Sequence, residues 1–263
     1  MIKLIVSDMD GTLLDNKKTI DPEIYKLLPK LKEKGIHFVV ASGRQYPSLK
    51  THFQEYMEDV VVIAENGAFV VDNGQEILVE SMKKEEVTHC LDKILSVKGI
   101  EPLLCAKYCT YTRSKEIFEL LSSSVFHYEM CLVDDLYKVE EDIIKVSMIS
   151  HEGDSAEICY NKLRGLLDEK LNLVTSGDTC LDTGLMNVTK GTAVLALQKK
   201  WNITPEETMV FGDQYNDIEM FKQAYYSYAM EGAVDGVKKY ARFQAGSNND
   251  GGVVKAIREV TEL

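Results

Sequence analysis

The chain begins MIKLIVSDMDGTLLD, residues 1–15. Residues 2–6 are an apolar run of strand length, broken only by Lys3, and read as a short buried strand. Directly after it stand Asp8 and Asp10, one residue apart, and then Gly11 and Thr12. Like charges so close repel one another, and the mouth of a buried strand also desolvates them. Such a pair either sits in water on a turn or flanks something positive. The rest of the chain decides between the two.

Outward from this stretch, strands and helices alternate. Asp21-Pro22 reads as the N-cap and first position of a helix, with Ile24, Leu27, Leu28 and Leu31 as its apolar stripe and Gly35 as its stop. HFVVA (37–41) and VVVIA (60–64) are further strands, followed by Ser42-Gly43-Arg44 and by the turn ENGA (65–68). Apolar strands separated by helices predict a parallel sheet covered on both faces. FVVDNGQEILVE (69–80) reads as a hairpin turning at Asn73-Gly74. From about residue 82 the pattern changes to short strands mixed with helices near 84–97, 115–122 and 155–169, an α+β style. From about 184 the α/β rhythm returns. A helix opens at Thr189-Lys190-Gly191 and runs to Trp201, TMVFGD (208–213) is a strand ending in a carboxylate, and NDIEMFKQA (216–224) is a helix. YSYAM (226–230) is a strand, and a last helix runs to Ile257. The expected fold class is α/β: an open parallel-sheet core, 1–81 and 184–263, interrupted by an inserted α+β domain, 82–183.

Composition narrows the function. The 263 residues are 45% hydrophobic and 27% charged, as in a soluble globular protein. A net charge of −12 without a basic stripe argues against nucleic acid as a partner. It also means that an anion site needs a local cation or aimed backbone N–H groups. The short apolar start is no secretory leader, and no apolar run reaches membrane length, so the expected setting is cytoplasmic, with no membrane contact. The six cysteines (Cys90, Cys105, Cys109, Cys131, Cys159, Cys180) include no CxxC pair and read as buried free thiols. His37, His52, His89, His127 and His151 form no metal-spaced set. Oligomeric state leaves no signature.

In open α/β sheets, ligands bind beyond the carboxyl ends of the strands. There this sequence places Asp8, Asp10, Ser42, Gly43, Asp213, Asn216 and Asp217, with Lys190 at another helix start. Carboxylates gathered on one edge raise one another's pKa unless a cation joins them, and oxygen donors suit a hard ion such as magnesium. A lysine and backbone N–H groups beside that ion suit a phosphate. One carboxylate then lies ready to attack phosphorus and form an aspartyl-phosphate. A second can protonate the leaving oxygen and later activate water. Asp8 and Asp10 could divide these roles.

DMDGT after the first strand, SGR after the second, VTKG at a helix start and FGDQYNDIEM after a late strand resemble the haloacid dehalogenase-like (HAD) phosphohydrolases. Their order and spacing are similar to the Cof-type subfamily, with its large cap inserted between the second and third motifs. The resemblance implies a Rossmann-like HAD core with an inserted α+β cap, acting as a Mg2+-dependent phosphatase on a small phosphorylated metabolite. It implies Asp8 as nucleophile and metal ligand, and Asp10 as general acid/base that offers its backbone carbonyl to the metal. Ser42 and the Gly43 backbone would hold the phosphate, with the Met9 amide facing it and Asn216 nearby. Lys190 would bind phosphate and steady the nucleophile. Asp213 would be a metal ligand, and Asp217 either a ligand through water or the residue that orients Lys190. Asn66-Gly67 matches the family's NGA turn near the cap hinge. A phosphomutase with the same aspartyl-phosphate is the alternative; a non-catalytic phosphoacceptor or binding protein is a third class.

Overall fold

The computed structural model describes residues 1–124, 127–150, 156–167, 169–175 and 179–263. His151 and residues 155 and 168 of the expected 155–169 helix lie outside them. In chain order the elements are β1 (Leu4–Ser7), α1 (Glu23–Glu33), β2 (His37–Ala41), α2 (Tyr46–His52), β3 (Val60–Ala64), β4 (Phe69–Asp72) and β5 (Gln75–Val79). Then come α3 (Lys84–Leu95), β6 (Ile100–Cys105), β7 (Thr110–Thr112), α4 (Lys115–Leu121), β8 (Met130–Leu132), β9 (Lys145–Ser150), α5 (Ala156–Leu163), β10 (Leu171–Thr175) and β11 (Cys180–Leu185). The chain closes with α6 (Lys190–Trp201), β12 (Thr208–Gly212), α7 (Ile218–Phe221), β13 (Tyr226–Ala229), α8 (Asp235–Lys238), β14 (Phe243–Gln244) and α9 (Gly252–Thr261).

Two compact units emerge. The first comprises Met1–Ser42, His52–Leu78 and Thr189–Leu263; the second comprises Gly43–Thr51 and Val79–Val188. The sequence places the boundaries near 82 and 183 and leaves the 43–51 segment in the core.

The first unit is built on a sheet ordered β14-β13-β12-β1-β2-β3-β4-β5 among the described residues. β1 pairs in parallel with β12 and β2, β2 with β3, and β12 with β13, so their carboxyl ends share one edge. Every residue of β1, β3 and β12 is buried, as strands covered on both faces require. α1 buries Ile24, Leu27, Leu28 and Leu31, the stripe read from the sequence. Its start is capped as expected: the Asp21 carboxylate accepts the Glu23 N–H at 2.9 Å. The β4–β5 hairpin turns through Asn73 and Gly74, both left-handed.

One helix is shorter than expected. NDIEMFKQA forms a 3-10 turn at Tyr215–Asp217 and then only Ile218–Phe221 as α-helix. The Asp217 carboxylate occupies the N–H groups of Asp213 and Gln214, which tightens the entry. Gln223 and Ala224 then turn back through bonds to residues three earlier, which ends the helix.

The second unit carries a sheet ordered β10-β11-β9-β6-β7-β8. Alternation splits its faces. Leu104, Val146, Met148 and Leu181 pack with Cys90, Leu91 and Ile94 of α3 and with Cys159 and Leu163 of α5. From the same strands the buried Lys145 and Asp182 and the half-buried Ser147 form a polar cluster: Lys145 Nζ lies 3.2 Å from Asp182 Oδ2, and the Ser147 hydroxyl donates to Asp182 Oδ1 at 2.6 Å. The ammonium also donates to the Gly43 carbonyl at 2.8 Å. The Gln45 amide bonds Thr110 Oγ1 and both backbone groups of Glu129. These bonds explain why Gly43–Thr51 groups with this unit. Arg113 makes a two-point pair with Glu101.

The free-thiol expectation fails for one pair. Cys109 and Cys131 form a disulfide with Cα atoms 6.3 Å apart. The parallel β7–β8 pairing, with Tyr111 opposite Cys131, brings them together. β8 is three residues long, too short for its alternation to register in sequence, and so this proximity was not legible there. Cys90, Cys105, Cys159 and Cys180 remain thiols outside any disulfide.

Candidate active site

The shared carboxyl edge of β1, β2, β3 and β12 delivers the sequence candidates of the first unit. Asp8 follows β1, Ser42 follows β2, Glu65-Asn66-Gly67 follows β3, and Asp213 follows β12. Lys190 is the first residue of α6, whose Thr189 cap accepts the Thr192 N–H at 3.1 Å and donates its own N–H to Thr192 Oγ1 at 3.0 Å.

At the centre the buried Lys190 ammonium is shared by two carboxylates. It lies 2.5 Å from Asp8 Oδ1 and 2.6 Å from Asp217 Oδ1. Asp217 Oδ2 accepts from the backbone N–H of Asp213 at 2.8 Å and of Gln214 at 3.0 Å. Both Asp217 oxygens are thus already engaged, and the carboxylate fixes where the ammonium points. Of the two roles the sequence left open for Asp217, this geometry supports the orienting one. Asp213 Oδ1 accepts the Thr12 hydroxyl at 3.1 Å. Thr12 was not singled out in the sequence, although it closes the DMDGT run.

Ligand atoms of Asp8, Asp213 and Asp217 lie within 4.8 Å of one another. Three buried carboxylates against one ammonium leave the cluster short of positive charge. Burial pushes the Asp8 carboxyl well above the usual range; Lys190 opposes this, and Asp217 and Asp213 add to it. Burial first, then Asp217, raises Asp213 to about 7. Burial alone would lower the Lys190 ammonium, but Asp217 and Asp8 outweigh it and hold its pKa above the ordinary lysine range. Oxygen donors with excess negative charge in a buried setting fit a small divalent cation such as Mg2+.

A testable consequence is linked to pH. A carboxyl whose folded pKa is raised holds its proton in the folded state between the ordinary carboxylate range and, for Asp213, about 7. Mg2+ has to displace that proton, so its stabilisation grows as pH rises through this window. In thermal unfolding after EDTA treatment, Mg2+ at a hundredfold excess over its Kd is expected to raise Tm by on the order of 5 °C at pH 8. The shift should shrink by more than half at pH 5.5; an equal shift at both pH values would contradict a site on these carboxylates.

Gly11 belongs to this geometry as well as to the turn. Its φ is +78°, and a Cβ there would overlap the Asp213 carboxylate. Any side chain at 11 therefore displaces a candidate metal ligand.

Asp10 does not join the central cluster. Its Oδ1 pairs with the Lys18 ammonium at 2.7 Å, on the small loop closed by the Asp10–Leu14 and Leu14–Ile20 bridges. Lys18 carries no motif or periodic signal in the sequence. The two side chains are 37% and 45% exposed, so the pair is worth about 1 kcal/mol or less and does not lock Asp10 in place. Met9 is wholly buried, its carbonyl accepting from Leu14 at 2.8 Å. Ser42 is buried; its N–H donates to the Ile63 carbonyl and its carbonyl accepts from Asn66, both at 2.9 Å. Asn216 donates its side-chain amide to Asn66 Oδ1 at 3.0 Å. Gly43 groups with the second unit, held by Lys145. No helix among the described residues is long and apolar enough to cross a membrane.

Known proteins resemble this chain over nearly its whole length. A model of the family described as haloacid dehalogenase-like hydrolases matches residues 5–257. The chain is 33% identical over 260 residues to a 5-amino-6-(5-phospho-D-ribitylamino)uracil phosphatase of Escherichia coli, YbjI, covering 98% of this chain and 96% of that one. It is 26% identical over 257 residues to a Bacillus subtilis phosphatase of the same description, YcsE, covering 98% and 95%. A solved structure from Streptococcus mutans superposes with a TM-score of 0.90 at 32% identity, covering 100% of both chains. The chain therefore belongs to the haloacid dehalogenase-like hydrolases, as a Cof-type phosphatase.

Proposed function

We propose that the protein hydrolyses a small phosphorylated metabolite, with Mg2+ as cofactor, through an aspartyl-phosphate on Asp8. The observation that carries this is the buried Lys190 held between Asp8 and Asp217 beside Asp213. An ammonium placed there steadies one Asp8 oxygen and leaves the carboxylate a nucleophile next to a positive charge that a phosphoryl group needs.

Asp8 attacks phosphorus as the P–O bond to the leaving group breaks, and Asp10 gives its proton to the departing oxygen. Asp10 then takes a proton from water, which attacks the aspartyl-phosphate and releases inorganic phosphate. For both steps the Asp10 carboxyl exchanges its weak contact with Lys18 for one with the reacting oxygens. Lys190, Ser42, Asn216 and the backbone N–H groups of Met9 and Gly43 hold the phosphoryl oxygens. Asp8, Asp213 and the Asp10 carbonyl would hold Mg2+, which offsets charge on the transferred group when bound. Asp217 keeps Lys190 aimed.

Both relatives named above are described as phosphatases of a phosphorylated ribitylamino-pyrimidine. That supports a phosphate on a sugar or polyol hydroxyl as the substrate class, with phosphorylated cofactors next. This substrate class supports a cytoplasmic setting. The test is phosphate release from a panel of sugar, polyol and cofactor monophosphates with Mg2+ and with EDTA. Free phosphate, dependent on Mg2+, is expected. Transfer to a second hydroxyl without release would make the protein a mutase, and no turnover of any monophosphate would overturn the reading.

A further inference from the structure

The turn after β3 carries three consecutive left-handed residues: Glu65 (φ 51°), Asn66 (φ 57°) and Gly67 (φ 106°). Only glycine adopts this region freely, so a run with two non-glycine members persists where its surroundings dictate it. Those surroundings are the phosphate side of the site. The Asn66 N–H donates to the Ser42 carbonyl at 2.9 Å. The Asn66 Oδ1 accepts from Asn216 Nδ2 at 3.0 Å. A Cβ on Gly67 would overlap the Thr189 carbonyl carbon and oxygen, so the turn lies directly against the start of α6.

Asn66 thus stands between Ser42 and Asn216, two of the residues the phosphatase reading assigns to phosphate, bonding the Ser42 main chain through its own N–H and the Asn216 amide through its side chain. Asn216 itself is half satisfied. Its Oδ1 is buried and has no hydrogen-bond partner among the described residues. An amide NH2 has two hydrogens; Asn66 takes one, which fixes the amide plane and leaves the second for an anion. The second N–H is the donor open to an anion, while the orphan Oδ1 calls for a donor such as water or a substrate hydroxyl.

We propose that Asn66 is a positioning residue for the phosphate subsite, acting through the amide of Asn216; this rests on the phosphatase reading above. The residue type follows from two demands. The backbone has to be left-handed, which asparagine tolerates better than most L-residues, and the side chain has to offer a neutral acceptor. Aspartate would meet the first demand but set a negative charge beside the phosphate.

The test compares wild type, Asn66→Gly, Asn216→Ala and the double variant with p-nitrophenyl phosphate as substrate and inorganic phosphate as competitive inhibitor, in Mg2+. Glycine suits φ 57° and deletes only the side chain, so Tm is expected to stay within a few degrees. Asn66→Ser, too short to reach Asn216, serves as a second variant should the glycine one fold poorly. An oriented amide binds phosphate in ground and transition states alike, so its loss raises KM more than it lowers kcat. About a tenfold rise in KM and in the phosphate inhibition constant is expected for Asn66→Gly, for Asn66→Ser and for Asn216→Ala. The double variant should be no worse than Asn216→Ala alone. An unchanged inhibition constant in both Asn66 variants, or additive losses in the double variant, would overturn the proposal while wild-type turnover keeps the phosphatase reading standing. A wild type that neither turns over the ester nor binds phosphate would overturn both.

Discussion

Asp8→Asn is expected to abolish phosphate-ester turnover while leaving the metal-free protein at least as stable as wild type. The two halves of this result have one cause. Asp8 is buried, and its ionised form is disfavoured by burial and by Asp217 and Asp213, with Lys190 as the opposing influence. Asparagine keeps an oxygen that can accept from Lys190 and removes one negative charge from a crowded cluster. It cannot form the acyl-phosphate, and loss of a nucleophile costs roughly ten-thousand-fold or more in kcat. Acid quenching during turnover should trap a phosphorylated wild-type protein and no phosphorylated variant. A variant that keeps more than a hundredth of wild-type kcat would refute the assignment of Asp8.

Lys190→Met is expected to remove activity and stability together. Methionine fills similar volume, so the change isolates the charge. Its loss leaves Asp8, Asp213 and Asp217 buried with no counter-ion, and breaking a buried ion pair from one side costs about 3–5 kcal/mol. The pH dependence has a definite sign. Without the ammonium, the raised Asp8 and Asp213 carboxyls rise further in the folded state, and a raised carboxyl keeps its full stability only below the unfolded range near 4. Stability is then lost as pH climbs towards the raised folded values; Asp213 is already at about 7 with the lysine present. Urea unfolding in EDTA should show the gap between variant and wild type widening from pH 5 to pH 8. Mg2+ should narrow the gap at pH 8 without restoring turnover. A gap that is flat with pH would mean that Lys190 acts through packing alone.

The sequence was most legible where side chains follow strands. Each buried strand shows as an apolar run, and a carboxylate or serine at its end stands out because the core gives it nothing. Asp8, Ser42 and Asp213 were found this way, and Lys190 and Asp217 through their places at helix starts. Partner choice was harder to read. That Lys190 is shared between Asp8 and Asp217, that Thr12 donates to Asp213, and that Asn66 receives Asn216 all depend on residues far apart in the chain meeting at one sheet edge. Lys18 beside Asp10 is a loop contact with no periodic signal. In the insert, strands of three residues left β8 unread, and with it the pairing that joins Cys109 to Cys131.

The place of β1 within its sheet also bears on how the protein is made. Leu4 pairs with His37 on one side and with Thr208 on the other. A nascent chain can supply the first partner soon after β1 leaves the ribosome, but the second is encoded beyond the whole insert. At roughly 5–20 residues per second, β1 waits on the order of ten seconds or more with one bare edge. A bare edge on a largely apolar strand is a template for pairing with the wrong chain. The contiguous stretch Val79–Val188 is complete in the meantime and can collapse on its own local contacts. Closure of the sheet around β1 is therefore a late event in biogenesis. The candidate site carboxylates meet only then, so a chain stalled before residue 208 lacks Asp213 and Asp217 beside Asp8.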